Sequence, residues 1–199
     1  ILITYLVFRL INQSAIINTF PLDYTNDWSS YMAQLHFMKA CGFHNPCPYW
    51  YNGFESFLVS APGWPLFAMP GYLLFDNILI ASYLALLLTI LIGFFACFKI
   101  GKVLGLSKLR SLFLFAAFFG NPIAVGNFIR LGRVSEALAF SLGLWLVYLV
   151  LKYKDKKINY SFLAITPVYA AIIIIHYQEA LLFSLLPACL FFYKKRIWE

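Results

Sequence analysis

The chain has 199 residues, of which 62 % are hydrophobic and only 12 % charged, with a mean hydropathy of +0.79. A soluble domain carries about a quarter charged residues, so this much apolar surface cannot be hidden in one aqueous core and lipid must act as solvent. The formal net charge of +7 sits in short segments beside apolar runs, a pattern that reports membrane orientation and gives no sign of nucleic-acid binding.

In lipid every backbone polar group needs an internal partner, which leaves helices or closed barrels. The apolar runs are mostly continuous and reach the length of a spanning helix, about 18–20 residues, in the longer ones, whereas barrel strands are shorter and alternate. The expected fold class is all-α: a polytopic transmembrane helical protein of about six spans, with a large outer-face loop containing interfacial helices. The runs are 1–20, interrupted by Arg9, Asn12 and Gln13, then 78–98, 112–125, 137–151, 158–175 and 180–193. The chain opens at Ile1 inside an apolar run and stops at Glu199 just after a basic cluster, with no small-residue signal cleavage site. The expectation is a single transmembrane domain, 1–199, forming the N-terminal part of a longer protein.

Charge sets the expected topology. Eleven of the 15 basic residues fall in three segments: Lys99, Lys102, Lys108 and Arg110; Lys152, Lys154, Lys156 and Lys157; Lys194, Lys195 and Arg196. The positive-inside rule places these on the cytosolic face. Six of the 8 acids and all three histidines occupy the intervening segments, which then lie outside. Six spans with a cytosolic N-terminus, in an integral cell-membrane protein, satisfy every loop. A seventh crossing by 62–75 would reverse all later loops, so that stretch is expected to lie on the membrane surface or re-enter it.

The outer loop, 21–77, is too long to be a plain connection, and such loops are usually functional. It opens Pro21-Leu22-Asp23-Tyr24-Thr25-Asn26-Asp27-Trp28. Asp27 is the expected N-cap of a helix running to about Cys41. Trp28, Tyr31, Met32, Leu35 and Met38 form one apolar stripe on it, suited to the membrane interface, and Gly42 ends it. An aromatic, turn-rich segment follows, with Trp50 and Tyr51, and then Pro62-Gly63-Trp64-Pro65 opens a second short apolar helix. Cys41 and Cys47 can bridge if the compartment is oxidising, whereas Cys97 and Cys189 lie in apolar runs and read as packing residues. Asp23 and Asp27, four residues apart under aromatic cover beside the bilayer, suit acid/base or metal chemistry. The competing reading is that Asp27 only caps a helix and Asp23 only solvates a turn.

These residues resemble the GT-C superfamily of membrane glycosyltransferases, nearest the archaeal and bacterial branch related to dolichyl-phosphate-mannose and arabinose transferases. The matching pieces are Asp27-Trp28, Pro48-Tyr49-Trp50-Tyr51-Asn52-Gly53, Pro62-Gly63-Trp64-Pro65-Leu66 and Gly132-Arg133-Val134-Ser135-Glu136. In layout the resemblance covers nearly the whole chain. Two features depart from the family pattern: the acids are spaced Asp23-x3-Asp27 instead of adjacent or Asp-x-Asp, and Pro62-Gly63 stands where many relatives have Pro-Pro. The resemblance implies transfer of a sugar, with inversion, from a polyprenyl-phosphate donor to an outer-face acceptor. Asp27 is the expected general base, and Asp23 the candidate second acid, able to hold a divalent cation such as Mg or Mn.

Farther along, Arg130 and Arg133 lie outside against the basic-inside trend. Arginine offers a bidentate fork for phosphate, so they are candidates to grip the donor, with snorkelling to lipid headgroups as the alternative. Trp50, Tyr51 and Trp64 are expected to line the sugar or prenyl entrance. Glu136 favours the dipole of the fourth span and is a further candidate for substrate binding. His176 and Glu179, at i and i+3, share a face if helical and can bind sugar or metal. His36 and His44 are not assigned as ligands, and Arg9 is an intramembrane charge if the first span is real. No P-loop or Rossmann glycine pattern occurs, which suits a lipid-phosphate donor better than a nucleotide. The alternative function is a non-enzymatic transporter or assembly subunit, but transporters more often place polar groups at the bilayer midplane.

Overall fold

The structure, a computed structural model, describes residues 1–19, 26–49, 53, 55, 57, 60–154 and 158–198. Among the described residues the regular structure is entirely helical. The helices are α1 (Leu2–Gln13), α2 (Asn26–Cys41), α3 (Gly63–Phe75), α4 (Ile78–Val103), α5 (Lys108–Phe119), α6 (Pro122–Ala124), α7 (Val134–Tyr153), α8 (Ile158–Ile175), α9 (Tyr177–Phe183) and α10 (Leu185–Trp198). A 3-10 turn, Ser14–Ile17, extends α1, and a π-helical segment, Val125–Arg130, extends α6.

Among the described residues two helices, α4 and α7, are long and apolar enough to cross a membrane, and α5 with Pro122–Arg130 makes a third if that pair is one broken span. Leu2–Ile17, Leu163–Ile175 and Tyr177–Tyr193 are shorter apolar helices. Along α4, Leu88, Leu91 and Phe95 form an exposed stripe at helical spacing, while Leu86, Thr89, Ile90, Ala96 and Cys97 are buried. An exposed apolar stripe on so apolar a helix is what a lipid-facing surface requires.

The apolar run 112–125 is not one helix. Pro122 has no N–H to donate and disfavours helical geometry at the residue before it. Asn121 is accordingly extended and accepts a bond from the Ala124 amide at 2.9 Å, starting a new helix.

The chain divides into two compact units: Ile1–Leu88 with Phe119–Ser135, and Thr89–Phe118 with Glu136–Glu199. In the first, the Tyr83 hydroxyl of α4 donates to the Leu10 carbonyl of α1 at 2.8 Å. Helices α2 and α3 pack side by side. Tyr31 meets Trp64 edge-on, His36 approaches the Tyr72 hydroxyl, and Lys39 pairs with Asp76. These contacts climb both helices in the same direction, so α2 and α3 run parallel. Beyond α2, Gly42 takes a positive φ of 79°, Asn45 donates to the Cys41 carbonyl, and Cys41 is disulfide-bonded to Cys47. Helix α3 has 13 residues, about 20 Å at the helical rise, and so falls short of the roughly 30 Å hydrocarbon layer. It ends where Asp76 turns left-handed, and the Asn77 side chain caps α4 by accepting from the Leu79 and Ile80 amides.

In the second unit, α7 is fastened to α4 by two side-chain donors one turn apart. Ser141 donates to the Thr89 carbonyl at 3.0 Å and Trp145 to the Ile92 carbonyl at 3.1 Å. A helix carbonyl keeps a second lone pair after its i+4 bond, and such bonds hold helices together where the hydrophobic effect is absent. Phe94, Phe98 and Phe115 interlock α4 with α5, and Phe140 meets Phe183 between α7 and α9.

Candidate functional site

The N-terminus of α2 is held against the segment 129–133 by three separate contacts. Trp28 is fully buried and its Nε1 donates to the Ile129 carbonyl at 2.9 Å. The Asp27 amide, which has no partner within its own helix, donates to the Leu131 carbonyl at 3.0 Å. The Asp27 carboxylate faces Arg133, with Oδ2 3.6 Å from Nε.

Between these contacts lies Gly132, with φ of 75°, and the Trp28 ring sits so close that a Cβ there would overlap it. A left-handed turn without a side chain is what this approach demands. The π-helical widening just before it, closed by the Leu131 amide on the Gly126 carbonyl at 2.9 Å, is a form that often marks functional sites.

This changes the role expected for Asp27. It is not the N-cap: α2 starts at Asn26, and Asp27 stands in its first turn. The neighbouring Leu131 carbonyl takes the exposed amide, so the carboxylate is left for Arg133. Both side chains of the pair are about half exposed, at 47 % for Arg133 and 46 % for Asp27, so each remains reachable from solvent. The apolar stripe is also corrected. Trp28, Met32, Leu35 and Met38 are buried within the protein, Trp28 against the segment 129–133, so this face of α2 packs on protein.

Arg130 is exposed and lines a groove of about 370 Å³ with Pro122, Ile123, Gly126, Asn127 and Leu131. Trp64 is fully buried at the start of α3, against Tyr31 and Phe67, and among the described residues its Nε1 has no hydrogen-bond partner. In that position it packs α3 onto α2 and presents no face to a ligand. Asp23, Trp50 and Tyr51 lie outside the described residues. So does the cation site proposed on Asp23; among the described residues no three His, Cys, Asp or Glu side chains converge on a metal position.

Glu136, His176 and Glu179 belong to the second unit. His176 and Glu179 do not share a helical face. His176 is extended and caps α9, its Nδ1 accepting from the Glu179 amide at 3.4 Å, which leaves the ring proton on Nε2. The break between α8 and α9 requires a cap, and His176 is the polar side chain at that point. Glu179 holds one buried carboxylate oxygen that has no hydrogen-bond partner among the described residues. Burial raises its pKa above the ordinary carboxyl value, and the Glu136 charge adds to the effect.

No family model, curated protein or solved structure matches this chain. What its site can do is therefore argued from its own chemistry: a solvent-reachable carboxylate beside a guanidinium, with a second arginine on an adjoining groove. The sequence places Trp28 on the apolar stripe of α2, next to Asp27. Its part as the clamp on Gly132 went unseen, although the pattern Leu131-Gly132-Arg133 carries a signal of a tight turn.

Proposed function

We propose that the chain is the membrane part of a glycosyltransferase that moves a sugar from a polyprenyl-phosphate donor to an acceptor at the outer face. The observation that carries this reading is the Asp27–Arg133 pair. It brings a proton acceptor and a phosphate-binding group to one site, the two groups that an inverting transfer uses on opposite faces of the sugar, so the pair parts to admit the sugar between them. The acceptor hydroxyl gives its proton to the Asp27 carboxylate as its oxygen bonds to C1 of the sugar. The C1–O bond to phosphate breaks, and the polyprenyl phosphate leaves with the electron pair. Arg133, with Arg130 on the adjoining groove, stabilises the charge growing on that phosphate.

Six spans with a cytosolic N-terminus remain the arrangement that satisfies the charge of every loop. The Cys41–Cys47 disulfide supports an outer position for the loop that holds it, since disulfides persist in oxidising compartments. The 13-residue length of α3 supports a helix that stays at one face.

The test is transfer of labelled sugar from polyprenyl-phosphate donors in membranes carrying the full-length protein. Asp27→Asn should fold normally and lose a factor of about 10² to 10⁴ in rate, the usual cost of a lost general base. Full activity in a folded Asp27→Asn protein would remove Asp27 from the mechanism and make Asp23 the next candidate. No transfer by the unaltered protein from any such donor would favour a transporter or assembly subunit.

A further inference from the structure

The hairpin joining α4 to α5 is built to a tight specification. Helix α4 closes with two reversed bonds, Leu106 N–H to the Gly101 carbonyl at 2.8 Å and Gly105 N–H to the Lys102 carbonyl at 3.3 Å, about Gly105 at φ 68°. This is the glycine-terminated helix end that satisfies the last carbonyls. Ser107 then caps α5, accepting from the Arg110 amide, and the Ser111 hydroxyl donates back to the Ser107 carbonyl. At the floor of the hairpin a Cβ on Gly101 would overlap Ser111, so the two arms meet at backbone distance.

Above that floor lies a cavity of about 470 Å³, with Lys99, Lys102, Lys108 and Ser111 among its polar walls and Phe98 and Leu106 among its apolar ones. We propose that this pocket binds the phosphate headgroup of an anionic membrane lipid. Three lysines line it, and among the described residues none of them has an ion pair. The sequence supplies no acid between Asp76 and Glu136 to neutralise them. The first turn of α5 adds its positive dipole end.

Position selects a lipid over a soluble anion. With 26 residues, α4 is about 39 Å long, longer than the roughly 30 Å hydrocarbon layer. Its last turns, with Lys99 and Lys102, therefore emerge at headgroup level, while Phe98 and Leu106 offer an acyl chain an apolar wall. Basic pockets between spanning helices hold lipid headgroups in this way. The basic segment after α7 differs, because Lys152 already lies over the Tyr148 and Tyr153 rings. The proposal is independent of the transferase chemistry and rests only on α4 crossing a bilayer.

The full protein is reconstituted in phosphatidylcholine vesicles containing trace spin-labelled phosphatidylglycerol or spin-labelled phosphatidylcholine, and the motionally restricted fraction of each label is measured. The unaltered protein should prefer the anionic label. Lys99→Gln/Lys102→Gln/Lys108→Gln should lower the preference at least about fivefold, the size of one lysine's contact with an anionic surface. The corresponding triple Lys→Arg variant should retain it, and Lys152→Gln/Lys154→Gln should change it little. An equal loss in both Gln variants would reduce the effect to general surface charge and overturn the pocket. Loss of preference on adding inorganic phosphate, but not chloride of equal ionic strength, would make the ligand a soluble anion and overturn the lipid assignment. Extraction of the protein by alkaline carbonate would sink the membrane-spanning premise, whereas a carbonate-resistant protein without preference would sink the pocket alone.

Discussion

The Trp28 indole donates to the Ile129 carbonyl at 2.9 Å inside a fully buried contact between residues 101 positions apart. A buried carbonyl that loses its donor keeps the cost of leaving water, about 1–3 kcal/mol. Trp28→Phe preserves most of the ring volume and removes the donor, so it should lower stability by about that amount. Gly132→Ala adds a Cβ where the indole sits and forces an L residue into positive φ, which should cost about 1–3 kcal/mol by strain and overpacking. Thermal melts in detergent, followed by far-ultraviolet circular dichroism, measure both. A Gly132→Ala protein as stable as the parent would mean that the turn relaxes and that the clamp is loose.

The Cys41–Cys47 bond leaves Cys97 and Cys189 as the free thiols. Denatured protein purified without reductant should therefore take up two alkyl groups by mass, and four after reduction. Uptake of four without reductant would show that the bridge does not form in the cell and would weaken the outer placement of the loop.

Lys39 and Asp76 tie α2 to the end of α3 and give a pH signature. The hydrogen bond and charge of Lys39 hold the Asp76 carboxyl below its ordinary value of 3.8. The same bond raises Lys39 above its ordinary 10.5, with the Asp76 and Tyr72 charges adding. A lowered carboxyl pKa contributes stability above the unfolded value that is lost as pH falls through the folded one; a raised lysine contributes stability below its unfolded value that is lost as pH rises through the folded one. Asp76→Asn keeps a residue that tolerates the left-handed turn and removes the pair. The difference in Tm between parent and variant should be small, because both groups are exposed. It should stay flat between about pH 5 and 9 and shrink at either extreme. A difference that peaks at acid pH would assign the effect to another group.

Orientation can be read by labelling single cysteines in a background lacking the four native ones. His44→Cys should react with an impermeant thiol reagent in intact cells, and Tyr153→Cys should react only after the membrane is opened. The reverse pattern would invert the proposed topology and move Asp27 to the cytosol.

Local pattern carried the helices. The runs at 78–98 and 137–151 became the cores of α4 and α7, and Gly42 ends α2 as glycine should at a helix C-terminus. The buried face of α2 was also legible from its spacing. What covers that face was not, since an amphipathic stripe looks the same whether lipid or protein lies against it. The segment that meets Trp28, 129–133, is remote in sequence and declares itself only through Gly132. His176 misled for a related reason: the i, i+3 rule presumes a continuous helix, and the chain breaks at that residue. The Asn121-Pro122 pair was a readable helix start inside the 112–125 run, but continuous hydropathy outweighed it.

The Asp27–Arg133 contact separates folding from function in a way that one substitution exposes. The groups are half exposed, with Arg133 Nε 3.6 Å from Asp27 Oδ2. Such a pair contributes about 0–1 kcal/mol to stability, and Asp27 is already fixed through its amide and the neighbouring Trp28. Arg133→Lys keeps a positive charge but replaces the planar fork by a point charge. Its Tm should stay within a degree or two of the parent's, roughly the shift expected for a few tenths of a kcal/mol. If Arg133 grips the donor phosphate, the same variant should raise the donor KM by roughly tenfold, the effect of losing one charge-assisted bond, and Arg133→Ala should raise it further and lower kcat. Donor titrations of sugar transfer in membranes measure this directly. An unchanged KM in Arg133→Lys and in Arg130→Ala, at full kcat, would assign both arginines to headgroup anchoring and leave Asp27 without a phosphate partner.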